Sequence, residues 1–148
     1  MQRARPQVQQ QYLSREFVTT GSIATLAPAR DAIMDFVREH CAGEQQEIDI
    51  LLALQEALAN AIVHGCGNDA AKLVACTVDI SPSAIEFTIR DPGPGFDSTS
   101  VTEPTDEGTN LTQHGRGIHL MRGLMDEVSY GRRGTELHMK KLRTSRGS

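Results

Sequence analysis

Residues 73–91 read LVACTVDISPSAIEFTIRD, two runs rich in β-branched and apolar residues, Leu73–Ile80 and Ala84–Asp91, parted by Ser81-Pro82-Ser83. Val, Ile, Thr and Phe suit the pleated, half-buried surface of a strand, and a short Ser-Pro-Ser break suits a reverse turn. The stretch therefore predicts an antiparallel pair. A hairpin in mid-chain points away from the regular strand-helix-strand alternation of parallel sheets.

Working outward from the hairpin, Leu51, Leu54, Leu58, Ala61 and Ile62 recur at intervals of three and four. That spacing predicts an amphipathic helix from about Glu47 to His64, closed by Gly65. An earlier helix opens near Pro28, carries Ile33, Phe36 and Val37 on one side, and stops at Cys41-Ala42-Gly43. REFVTT, Arg15 to Thr20, predicts a first strand ended by Gly21. Downstream, residues 92–117 carry Pro, Gly, Ser and Thr with only scattered apolar side chains, too long for an idle connection, and predict a binding loop or lid at about 97–114. A helix from about Ile118 to Leu124 follows, with Leu120, Met121, Leu124 and Met125 expected in the core. EVSYGR and GTELHMKKL then form a hairpin turning at Arg132 to Gly134. The order β-α-α-β-β-lid-α-β-β predicts an α/β two-layer sandwich, a mostly antiparallel mixed sheet with helices on one face. One domain, 14–142, is expected between a Gln-rich arm (1–13) and a polar tail (143–148).

Composition narrows the function. Of 148 residues, 15 are Lys or Arg and 19 are Asp or Glu, a net charge of -4, and the broad basic footprint of a nucleic-acid binder is missing. Cys41, Cys66 and Cys76 are odd in number and form no C-x-x-C pair, which predicts neither a disulfide framework nor a cysteine zinc site. With no apolar signal segment and no apolar run of about 18 residues, a soluble cytoplasmic protein without membrane contact is expected.

Three motifs can carry chemistry. On the second predicted helix Glu56, Asn60 and His64 stand four apart, so a carboxylate, an amide and an imidazole share one stripe, either a solvated face or a ligand-facing one. Ala53, Ala57 and Ala61 keep that side of the helix low. DPGPGFD follows the second strand of the hairpin, with Asp91 leaving the sheet where Gly93 and Gly95 permit either a tight turn or close approach of a planar ligand. HGRGIHLM places Gly115 and Gly117 before a helix, whose free N–H groups suit phosphate. The P-loop pattern and a strand-linked G-x-G-x-x-G are absent. His40, His119 and His138 are scattered without metal-ligand spacing.

E-x-x-x-N-x-x-x-H on a helix, D-x-G-x-G after a strand, G-x-G before a helix and Gly134-Thr135 opening the last strand together resemble the GHKL ATPases, the superfamily of gyrase, the heat-shock chaperone, histidine kinases and MutL. Within it, EALANAIVHG and GIHLMRGLMDEV resemble the bacterial anti-sigma factor serine/threonine kinases (RsbW-like) over roughly residues 14–142. The resemblance implies ATP and Mg²⁺ as cofactors. Asp91 would receive the adenine amino group with Thr135 close by, and Asn60 would hold Mg²⁺. Glu56 would act as catalytic base, His64 would support the pocket edge, and Gly93, Gly95, Gly115 and Gly117 would shape the base and phosphate ends. Where several family members carry a basic residue before the lid glycines, this chain has Gln113 and His114, and Arg116 is the candidate substitute for charge neutralisation. The implied partners are a σ factor, a STAS-domain anti-sigma antagonist phosphorylated on serine, and a second copy of the chain. A nucleotide-gated binding module with the same ATP site is the alternative.

Overall fold

The computed structural model describes residues 12–40, 44–93 and 113–143. Five strands, β1 (Leu13–Thr20), β2 (Leu73–Ile80), β3 (Ala84–Arg90), β4 (Glu127–Gly131) and β5 (Glu136–Leu142), form one sheet in the order β1-β2-β3-β5-β4. All four neighbouring pairs are antiparallel. Among the described residues three helices, α1 (Leu26–His40), α2 (Glu44–Asn60) and α3 (Gln113–Leu124), supply the second layer. The two-layer architecture follows from the alternation in β2 and β3, whose inward residues Val74, Cys76, Val78, Ile80, Ile85, Phe87 and Ile89 are all buried. On the other face Glu16, Thr77, Thr88, His138 and Ser129 lie in register across the strands, a polar row that needs no cover.

Strand register sets the floor of the later cavity. Phe17, Cys76, Ile89, Leu137 and Tyr130 stand side by side across all five strands on the inward face. Over this floor lie Ile33, Met34, Phe36 and Val37 of α1, Ile50, Ala53, Leu54, Ala57 and Leu58 of α2, and Ile118 and Met121 of α3. Phe36 meets Phe17 edge-on at 5.9 Å between ring centroids, which fixes α1 against the edge strand. By length and apolar composition residues Gln46–Gly65 would reach across a bilayer. Here the buried side of that segment is the centre of the core. Cys66 and Cys76 are buried free thiols.

Some elements depart from the expected boundaries. β1 starts two residues earlier, and α1 opens at Leu26 behind a 3₁₀ turn capped by the Ser22 hydroxyl, which accepts from Ala24 N–H at 3.2 Å. The larger change is in α3, which starts at Gln113 rather than near Ile118, so Gly115 and Gly117 lie inside the helix instead of before it. Leu120 is 46% exposed, not core, whereas Met121 and Met125 are buried. The expected lid falls outside the described residues except for Gln113 and His114 at the start of α3, and the expected arm and tail fall outside them but for Tyr12, Leu13 and Arg143.

Lys141 ties the layers together. Its position on β5 faces the helices, and its ammonium donates to Asp49 of α2 at 3.0 Å and to the Leu124 carbonyl at the end of α3 at 2.6 Å. The side chain is only 12% exposed. A cation on the last carbonyls of a helix also meets the negative end of its dipole. Lys141→Ala leaves a carboxylate and a helix-end carbonyl without their donor and is expected to cost about 2 kcal/mol in urea denaturation, with the slope unchanged.

Candidate functional site

α2 does not simply stop at Gly65. From Ala61 to Gly65 it widens into a π-helical turn, with Cys66 N–H reaching the Ala61 carbonyl at 2.9 Å. Such a turn presents its residues differently from an α-helical one and recurs at functional sites. Here it brings the Gly65 backbone onto the Asp91 carboxyl. A Cβ added to Gly65 would stand 2.6 Å from Asp91 Oδ2, and one added to Gly93 would stand 2.6 Å from Gly65 Cα. No side chain fits in either gap, so both positions require glycine for the close approach.

Beside this contact a cavity of about 220 Å³ opens between α2 and the sheet. Its floor is Ile89, Leu137 and Tyr130 of the inward row. Its wall is Ala57, Asn60, Ala61, His64 and Gly65, and Asp91 and Gly134 complete the lining. Ala57, Ala61 and Gly65 on the helix and Ile89 and Leu137 on the sheet leave a slot suited to a planar ring, with Asn60, His64, Asp91 and Tyr130 as the polar groups at its edges.

Asp91 is the principal polar group at the sheet end. Its Oδ1 accepts from Gly93 N–H at 2.8 Å, and its own N–H donates to the Thr135 carbonyl at 3.0 Å. Burial raises the Asp91 carboxyl above the ordinary carboxylate range, and the Gly93 N–H only partly offsets it. The Cys66 thiol is likewise pushed up, by burial and then by the charge of Asp91. Thr135 therefore touches Asp91 through its backbone, while its hydroxyl donates to the Arg132 carbonyl at 2.9 Å.

Asn60 stands on the helix side, at the junction of α-helical and π-helical turns. Its Nδ2 is buried and has no hydrogen-bond partner. Glu56, one turn earlier, lies off the cavity wall, and the two side chains meet beneath α3. A Cβ on Gly117 would stand 3.0 Å from Glu56 Oε1 and 3.1 Å from Asn60 Nδ2. Glu56 and Asn60 thus lie part-buried between α2 and α3, whereas His64 is exposed at the rim. Gly117 serves this close packing, and only Gly115 remains in the first turn of α3, where backbone N–H groups lack intrahelical partners. The Arg116 side chain and Gly95 lie outside the described residues.

Tyr130 and the role of Gly65 are not marked by any of the sequence motifs. Burial pushes the Tyr130 phenol up to about 12, and the neighbouring Asn60 side chain acts in the opposite direction. The period-two pattern of EVSYG, with Val128 and Tyr130 both turned inward, is the signal in the sequence that bears on Tyr130.

The fold is that of an ATPase domain: the histidine kinase-like ATPase family matches residues 19–141, and the chain belongs to it. Its relatives place it more narrowly, among the anti-sigma factors of that family. It is 31% identical over 118 residues to the anti-sigma F factor of Geobacillus stearothermophilus, covering 76% of this chain and 81% of that one. Against the anti-sigma F factor of Clostridium perfringens it is 30% identical over 118 residues, covering 76% and 84%. The solved structure of the RsbU and RsbW domains of a Mycobacterium tuberculosis protein shares the fold, with a TM-score of 0.60 and 15% identity over 90% of this chain. This chain spans 33% of that longer one. An ATPase domain implies ATP as the ligand.

Two outcomes test the geometry. Because Asp91 has a raised pKa in the folded state, its ionised form costs stability at neutral pH, and that cost fades as pH falls through the folded pKa. Asp91→Asn should therefore raise the thermal midpoint of the nucleotide-free protein at pH 7, and the gain should vanish below the ordinary carboxylate range. Gly65→Ala should lower the thermal midpoint and abolish ATP binding in calorimetry, since its methyl group displaces the Asp91 carboxyl.

Proposed function

We propose that the chain is an ATP-dependent protein serine/threonine kinase that also acts as an anti-sigma factor in the cytoplasm. As a homodimer it sequesters a σ factor, and it phosphorylates a STAS-domain antagonist on serine. The observation that carries this reading is the pairing across one cavity of a half-buried acceptor, Asp91, with a part-buried amide, Asn60, whose buried Nδ2 makes no hydrogen bond. The names of the anti-sigma F relatives support the σ-factor partner.

In this reading Asp91 accepts a hydrogen bond from the adenine amino group, and Ala57, Ala61, Ile89 and Leu137 flank the ring. Asn60 fits a cation ligand. Which end of an amide faces a cavity is assigned from its hydrogen bonds, and an Nδ2 with none leaves Oδ1 free to turn toward the phosphates. Among the described residues no three His, Cys, Asp or Glu side chains gather into a metal site. Asn60 would then supply one hard oxygen ligand, with water and phosphate as the others, which is the habit of Mg²⁺. Bound there, the ion supplies charge neutralisation for the phosphates.

Glu56, a turn from Asn60, takes the proton from the serine hydroxyl as its oxygen bonds to the γ-phosphorus and the bond to the ADP oxygen breaks. Arg116, two residues into the first turn of α3 beyond His114, is assigned the role of neutralising the transferred group.

Transfer of labelled phosphate to a STAS partner, beside calorimetry of ATP, is the test. Asp91→Asn should weaken ATP about tenfold to a hundredfold. Glu56→Gln should keep ATP affinity and lose about 10²–10⁴-fold in transfer, while Asn60→Ala should weaken both Mg-ATP binding and transfer. Tight ATP binding without transfer to any partner would leave the nucleotide-gated module in place of the kinase.

A further inference from the structure

A ligand amide must present oxygen, and nothing in its own shape decides which end turns inward. Asn60 needs a discriminator for Nδ2. Along α2 its neighbours facing the cavity are Ala57, Ala61 and His64, of which the imidazole is exposed at the rim, and Gly117 above it brings no side chain. Glu56 Oε1 also lies beneath Gly117, yet Nδ2 makes no hydrogen bond to it. From the sheet, the inward row offers Ile89 and Leu137, which are apolar, and then Tyr130 on the edge strand opposite Leu137. Tyr130 lines the same cavity as Asn60, and its phenol interacts with the Asn60 side chain.

We propose that Tyr130 is a positioning residue for Asn60: its phenol oxygen accepts a hydrogen bond from Nδ2 and so holds Oδ1 toward the cation and the phosphates. A hydroxyl can donate or accept, so in the nucleotide-free protein it does not choose between the two ends of the amide. Once a cation occupies Oδ1, only Nδ2 remains to face the phenol, and the phenol accepts. Tyr130 thus couples the floor of the base pocket to the metal end of the site. The inference rests on the reading of Asn60 as the Mg²⁺ ligand.

The test is the gain in ATP affinity on adding Mg²⁺, measured by calorimetry against ATP in chelator. It is made on wild type, Tyr130→Phe, Asn60→Ala and the double variant. Tyr130→Phe keeps the ring on Leu137, and the Mg²⁺ gain, the ratio of the affinities with and without the metal, should shrink about two- to tenfold. In the Asn60→Ala background the same change should do nothing further. A purely packing role would instead lower both affinities together and persist in that background, which overturns the proposal. If Asn60→Ala removes the Mg²⁺ gain and Tyr130→Phe leaves it intact, this inference alone falls. If Asn60→Ala leaves the gain intact, the metal reading falls with it.

A second readout needs no change at the site. The chain has no Trp and two Tyr, of which Tyr12 is exposed. In a Tyr12→Phe protein loaded with ATP, tyrosine emission should shift on adding Mg²⁺, and unaltered emission would count against the proposal.

Discussion

The contact of the Gly65 backbone with the Asp91 carboxyl and with Gly93 is the constraint on which the site depends. It joins the end of α2 to the end of β3 with no side chain between them, and so fixes where a helix wall and a sheet floor stand relative to each other. The π-helical turn that makes it possible also sets Asn60 at the last α-helical position. One local distortion thereby places both the Asp91 carboxylate and the Asn60 amide. Half-burial of Asp91 has a thermodynamic counterpart: the same desolvation that raises its pKa makes a hydrogen bond to it worth more when a ligand supplies the donor.

The remaining architecture keeps α2 and α3 in register around that contact. Gly117 lets α3 approach Glu56 and Asn60 closely, and seven residues later the Leu124 carbonyl shares Lys141 with Asp49. The two helices therefore run antiparallel, touching near the site at one end and pinned to β5 at the other. In the proposed reading, base recognition belongs to strand ends and chemistry to the helix pair. Gly117 of α3 lies against Glu56 and Asn60, whereas the close contacts of Asp91 are with Gly65, Gly93 and Thr135.

Much of this architecture is legible in the amino-acid sequence. The hairpin of residues 73–91 shows its strand limits nearly to the residue, because strict alternation bounded by Ser-Pro-Ser leaves one register that buries Val74, Cys76 and Val78. Asp91 at the strand end, and Glu56 and Asn60 on one helical stripe, are equally visible in spacing alone. Gly115 and Gly117 mislead because glycine reads as a helix break at about 1 kcal/mol each, a local preference that packing of Gly117 on α2 overrides. The stripe itself leaves two readings open, since periodicity shows which residues share a face but not that α3 covers it. The π-helical turn leaves no mark in the apolar pattern, and so the closeness of Gly65 to Asp91 has no sequence signal beyond a glycine where a helix is expected to end.

The central claim is that adenine lies in the cavity between α2 and the sheet, read by Asp91. A crystal structure of the chain with Mg²⁺ and a non-hydrolysable ATP analogue tests it most directly. The account predicts the adenine amino group at hydrogen-bond distance from an Asp91 carboxylate oxygen, the ring between Ala57 or Ala61 and Leu137, and the phosphates on the Asn60 side. A nucleotide bound elsewhere, or one whose ring leaves the Asp91 carboxylate without a partner, would contradict it.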